Sequence, residues 1–179
     1  LDHLGAALVV TADHGMKPKH DANGEPSVVY VQDLLDQWLG EAKARVILPI
    51  TDPYVVHHGA LGSFATAYLP AEVDTAEITE KLSNIEGILL VINKSEAVKR
   101  FDLPPDRIGD IVIISTENMT LGTSVDRHDL EALKEPLRSH GGLTEQEVPF
   151  IVNRKIDLPE VPNLRNYDAF FYASIAANT

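Results

Sequence analysis

Three side chains in this sequence have the types and settings that metal chemistry uses: Asp13, His14 and His140. A carboxylate oxygen and a neutral imidazole nitrogen are both good donors to zinc. On a regular strand, neighbouring side chains point to opposite faces, so Asp13 and His14 would diverge there. On an irregular turn both can face one ion. Gly15 follows the pair and is expected to let the backbone turn sharply beside whatever they hold. Taken alone, the dipeptide also reads as a plain polar turn after a strand. His140 stands before two glycines, Gly141 and Gly142.

Local elements have to hold these residues in place. Residues 6–12, AALVVTA, are small or β-branched and show no polar alternation. That pattern predicts a strand buried on both faces, as in a parallel sheet. Asp13 and His14 then fall at its carboxyl end, where open α/β sheets bind ligands. Beyond His140, residues 144–147 read as a helical turn and residues 148–152 as a buried strand.

The stretches TADHGMKPKHD, HHGALGSFATAYL, DRIGDIVIIS and LRSHGGLTEQEVPFIVN together carry a resemblance. The Asp-His-Gly and His-Gly-Gly pair resembles the carboxyl half of the metal-binding domain of the alkaline phosphatase superfamily. The connecting stretches resemble its phosphonate branch, whose members cleave the carbon–phosphorus bond of phosphonoacetate to acetate and phosphate. The resemblance spans residues 8–153.

It implies an α/β fold: part of an alkaline-phosphatase-like central sheet flanked by helices, with a small α+β insert. It implies a metal-dependent hydrolase with two divalent ions, expected to be zinc. Asp13 and His14 would bind the ion next to a threonine or serine nucleophile, and His140 would bind the other. The nucleophile and remaining ligands belong to motifs that lie upstream in the family, and this sequence offers no candidate for them. A zinc site needs about four ligands, so one pair and one single make about half of a bimetallic site. The chain alone is expected to be inactive. Phosphodiesterases and nucleotide pyrophosphatases of the same superfamily are the alternative enzymes, and a noncatalytic α/β binding module is the alternative outside enzymes.

Composition bounds these readings. With 179 residues there is room for one sizeable domain, or a core with a small insert. Net charge is 15 − 27 = −12, which disfavours nucleic acid as a partner. It also repels an anionic substrate such as a small phosphonate, so metal cations must supply the local positive field. There is no cysteine, hence no disulfide and no thiolate ligand. No apolar run is long enough to span a membrane. No signal peptide is visible and the expected location is cytoplasmic. A homodimer is compatible with the sequence. The chain starts at Leu1, with the first strand almost at once, and reads as part of a longer polypeptide.

In order, residues 17–26 read as a solvated charged loop and 27–31 as a strand. Residues 32–39 read as a helix stopped by Gly40, with Trp38 in the core. Strands are predicted over 45–50, 54–57, 63–69, 87–92 and 110–115. Helices are predicted over 75–82, opened by Asp74 as its N-cap, and over 95–101. His57 and His58 have no carboxylate near them in sequence and read as structural or surface residues. Asp126, Arg127, His128 and Asp129 read as a polar return loop before a helix over 130–137. The tail, 164–177, reads as a helix-like apolar cluster packing against the sheet. The expected division is a metal-binding core from 1–40 and 125–179, with a cap-like α+β subdomain over 41–124.

Overall fold

The computed structural model of the chain describes residues 2–49, 61–156 and 164–178. Its strands and α-helices run in this order: β1 (Val9–Val10), β2 (Lys17–Pro18), β3 (Val28–Tyr30), α1 (Val31–Leu39), β4 (Arg45–Ile47), β5 (Phe64–Tyr68), α2 (Thr75–Ser83), β6 (Ile88–Asn93), α3 (Lys94–Phe101), β7 (Ile111–Ser115), β8 (Thr120–Gly122), β9 (Arg138–Ser139), β10 (Ile151–Val152) and α4 (Ala169–Ala177). The chain divides into two compact units. One is residues 1–15 with 145–179, and the other is residues 16–144.

In the larger unit, β4, β5, β7 and β6 form a four-stranded sheet in that order, antiparallel throughout. All of β7, IVIIS, is buried. Successive side chains of a strand alternate between faces, and β7 shows it. Ile111 and Ile113 join a cluster with Val31 and Leu35 of α1 and Ile78 and Leu82 of α2. Val112 and Ile114 join a second cluster with Ala97 of α3 and Ile108. A strand covered on both faces has no place for polar alternation, which is why its sequence is a continuous apolar run.

The helices form where their ends are supplied. Asp74 caps α2 by accepting the Ala76 N–H at 2.9 Å. Asn93 caps α3 by accepting the Glu96 N–H at 3.0 Å. Gly40 ends α1 at φ +100°, in a region that side chains avoid. Trp38 packs against the core. β3 pairs in parallel with β8, and β2 pairs antiparallel with β9.

In the smaller unit β1 pairs antiparallel with β10. Asn153 extends it: its Oδ1 accepts the Leu8 N–H at 2.7 Å and its Nδ2 donates to the Ala6 carbonyl at 3.0 Å. Tyr172 of α4 is buried, edge-on to Phe150 at 5.7 Å, whereas Phe170 and Phe171 point outward.

Four expectations change. The strand of residues 6–12, predicted as parallel and buried on both faces, is the two-residue β1; its partner is antiparallel and Val10 is exposed. The buried strand of 148–152 shrinks to β10, with Ile151 exposed, and the helical turn before it starts earlier, at Leu143–Glu145. The helix of 130–137 does not form; Pro136 removes a helical donor and disfavours helical geometry just before it. The loop of 17–26 is not simply solvated. Lys19 is fully buried, its Nζ donating to the Glu117 carbonyl at 2.6 Å, and Lys17 pairs with the Glu117 carboxylate at 2.8 Å. The predicted strand of 54–57, with His57 and His58, lies outside the described residues.

Candidate metal centre

In the smaller unit β1 delivers the chain to Asp13 and His14, and three contacts shape the turn. Gly15 N–H donates to the Glu145 carbonyl at 2.7 Å. A Cβ on Gly15 would stand 3.1 Å from that same oxygen, so this glycine serves close approach. Its φ lies outside the left-handed region, so its part in the turn is close approach rather than a left-handed backbone. On the other side, Asn166 Nδ2 donates to the carbonyls of Ala12 at 3.2 Å and Asp13 at 3.1 Å.

The pair is organised within itself as well. Asp13 Oδ1 accepts the His14 N–H at 3.0 Å. His14 Nδ1 lies 2.9 Å from the Gly15 carbonyl. A carbonyl only accepts, so Nδ1 carries the proton, and in the neutral ring Nε2 carries the lone pair. Nε2 stands 3.6 Å from Asp13 Oδ2. Two ligands about 2.1 Å from one zinc at the tetrahedral angle stand about 3.4 Å apart. The pair therefore has the spacing of two ligands on a shared ion. The Asp13 side chain is 85% exposed and that of His14 39%, so both are accessible.

His140 belongs to the larger unit. It leaves β9, which pairs Ser139 with Lys17 and Arg138 with Pro18. The His140 carbonyl accepts the Ser63 N–H at 2.8 Å. Ser139, buried beside it, donates its Oγ to the Leu61 carbonyl at 2.6 Å. Gly141 then turns the chain at φ +97°. The imidazole thus hangs from backbone that is tied down before it and bends sharply after it.

The structure brings the Asp13 and His14 side chains within 3.6 Å of each other; among the described residues no group of three His, Cys, Asp or Glu side chains is placed to hold a metal ion. The charged knot at 126–129 is a structural loop. His128 Nε2 accepts the Thr123 N–H at 3.0 Å, and Asp33 accepts the Val125 N–H at 3.0 Å. Asn166, Ser139 and Ser63 were not foreseen. Asn166 acts on Asp13 across 153 positions, and nothing local in a sequence marks such a bond.

No protein-family model matches the chain. Among solved structures, it is similar to phosphonoacetate hydrolase from Sinorhizobium meliloti 1021 in complex with phosphonoformate. Identity is 71% over 98% of this chain, at TM-score 0.91. The same enzyme in complex with phosphonoacetate matches at TM-score 0.90. This chain spans only 43% of the length of that one. Murine ectonucleotide pyrophosphatase/phosphodiesterase 5 shares the fold, at 20% identity and TM-score 0.52 over 96% of this chain and 40% of its own. The architecture is that of a portion of an alkaline-phosphatase-like α/β fold.

Proposed function

We infer that this chain is the carboxyl-terminal portion of a phosphonoacetate hydrolase of the alkaline phosphatase superfamily, and that it supplies part of a two-metal site. The whole enzyme would cleave the carbon–phosphorus bond of phosphonoacetate, giving acetate and phosphate. The observation that carries the metal reading is the 3.6 Å separation of His14 Nε2 and Asp13 Oδ2, with the ring proton held on Nδ1 by the Gly15 carbonyl. Sequence likeness to the hydrolase over nearly the whole chain supports the substrate class. Likeness to the pyrophosphatase extends to the fold alone.

Two divalent ions would stabilise the charge on the reacting phosphoryl group. Nitrogen and oxygen donors without sulfur favour zinc or manganese over softer ions. Asp13 and His14 hold one ion, and His140 is a ligand to the other. His14 keeps its proton on Nδ1, so Nε2 stays a donor atom. Asn166 and the Glu145 carbonyl hold the turn, so the pair stays aimed as the ion is bound. The nucleophile and remaining ligands come from outside these residues. Residues 41–124 are proposed as a cap-like subdomain, a reading supported by the four-stranded sheet drawn wholly from within them.

The test uses the full-length enzyme. Wild type should release phosphate from phosphonoacetate and carry two ions per protomer. Asp13→Asn and His14→Ala should each lose an ion, and turnover should fall by more than the roughly 10–100-fold typical of outer-shell partners. Normal metal content and turnover in either variant would remove that ligand. A wild-type enzyme that spares phosphonoacetate but cleaves a nucleotide diester would replace the hydrolase reading.

A further inference from the structure

We propose that Ser139 is a positioning residue for His140, a role that rests on reading His140 as a metal ligand. Two hydrogen bonds flank the histidine, and both reach one short segment. Ser139 Oγ donates to the Leu61 carbonyl at 2.6 Å, and the His140 carbonyl accepts the Ser63 N–H at 2.8 Å. The segment between is itself tied into the sheets. Gly62 carbonyl accepts the Leu121 N–H at 2.7 Å, and Ser63 carbonyl accepts the Ser115 N–H at 3.0 Å. Leu61 and Ser139 are both buried, at 1% and 4% exposure.

The two residues after His140 make this anchoring matter. Gly141 at φ +97° and then Gly142 carry no side chain that could brace the backbone on that side. A metal ligand must be held to within about 0.5 Å. β9 is only two residues long, so its ladder with β2 ends at Ser139. The serine hydroxyl adds a restraint on the last residue before the imidazole. A carbonyl cannot donate, so the bond requires the hydroxyl proton, and alanine at this position cannot replace it.

The experiment uses the full-length enzyme with Ser139→Ala, Ser139→Thr and His140→Ala, each loaded with zinc or with cobalt(II). In Ser139→Ala, affinity for one of the two ions should fall about 10–100-fold, with a matching loss in kcat and an altered cobalt visible spectrum. KM should stay within about twofold. Ser139→Thr keeps the hydroxyl and should restore the spectrum and the affinity. A Ser139→Ala enzyme with wild-type cobalt spectrum and metal affinity overturns the proposal, whatever its melting temperature. If that variant does not fold, Ser139→Cys, which keeps the volume and weakens the donor, carries the same test and the same overturning result. His140→Ala separates the two readings. If it retains both ions, His140 is no ligand; if it loses one while Ser139→Ala loses none, only the positioning role falls.

Discussion

At the scale of single residues, His14 and His140 each sit in backbone fixed by named hydrogen bonds. His14 is oriented by its own ring, through Nδ1 on the next carbonyl. At His140 the bonds lie on the backbone: Ser139 beside it donates to the Leu61 carbonyl, and the His140 carbonyl accepts the Ser63 N–H. His140→Ala in the full-length enzyme should therefore abolish most turnover and one ion's binding. Its side chain is only half-buried, so the stability cost should lie well under the ~2–5 kcal/mol of a large core truncation. Turnover, metal content and melting temperature on one sample check this. A second residue-scale prediction concerns Asp21. The backbone N–H of Glu25, then that of Asn23, hold its carboxyl below the usual 3.8. A lowered folded value means its contribution to the 21–25 turn is present above pH 3.8 and lost as pH falls through the folded value. NMR titration of the Asp21 carboxyl should give a midpoint below that of an unstructured peptide. A midpoint at the peptide value would mean the turn does not hold in solution.

At the scale of elements, the sheet of the larger unit leaves little free volume beside its inner strand β5. Gly109 N–H donates to Thr66 Oγ1 at 2.8 Å, and a Cβ there would meet that oxygen and the Ala67 carbonyl at 2.5 Å. The Ala67 carbonyl is β5 backbone and cannot step aside without moving the strand, and Thr66 Oγ1 would have to give up its bond to the Ile111 carbonyl. Gly109→Ala should destabilise by about 1–3 kcal/mol or more, read as a lower urea midpoint. Asp74→Ala removes one cap bond on α2 and should cost only about 1 kcal/mol. An Asp74→Ala loss as large as that of Gly109→Ala would show that α2's N-terminus is held by more than its cap.

At the scale of the whole molecule, charge and metal oppose each other. On the proposed function, a net charge of −12 would raise the cost of bringing in an anionic phosphonate, and bound cations would offset it locally. Removing metal from the full-length enzyme with a chelator should abolish turnover and lower the melting temperature, because ligand binding stabilises the folded state. Zinc should restore both. The present chain alone, spanning 43% of the related hydrolase, should release no phosphate from phosphonoacetate even with zinc added. Phosphate release by the chain alone would place a nucleophile within it. Among the described residues no helix is long and apolar enough to cross a membrane.

The features legible in the sequence were local ones. The caps at Asp74 and Gly40 and the apolar runs of β5, β6 and β7 are written in neighbouring residues, so their elements stand where periodicity and capping put them. The turn chemistry of Asp13-His14-Gly15 and His140-Gly141-Gly142 is likewise local, and it marked the candidate ligands. Partners were decided in the tertiary structure alone. It made β1 antiparallel to β10, buried Lys19 against the Glu117 carbonyl, and brought Asn166 to Asp13 and Leu61 to Ser139. Strand direction and long-range hydrogen bonds depend on which segments meet. No residue's own type or spacing encodes the identity of a partner a hundred positions away.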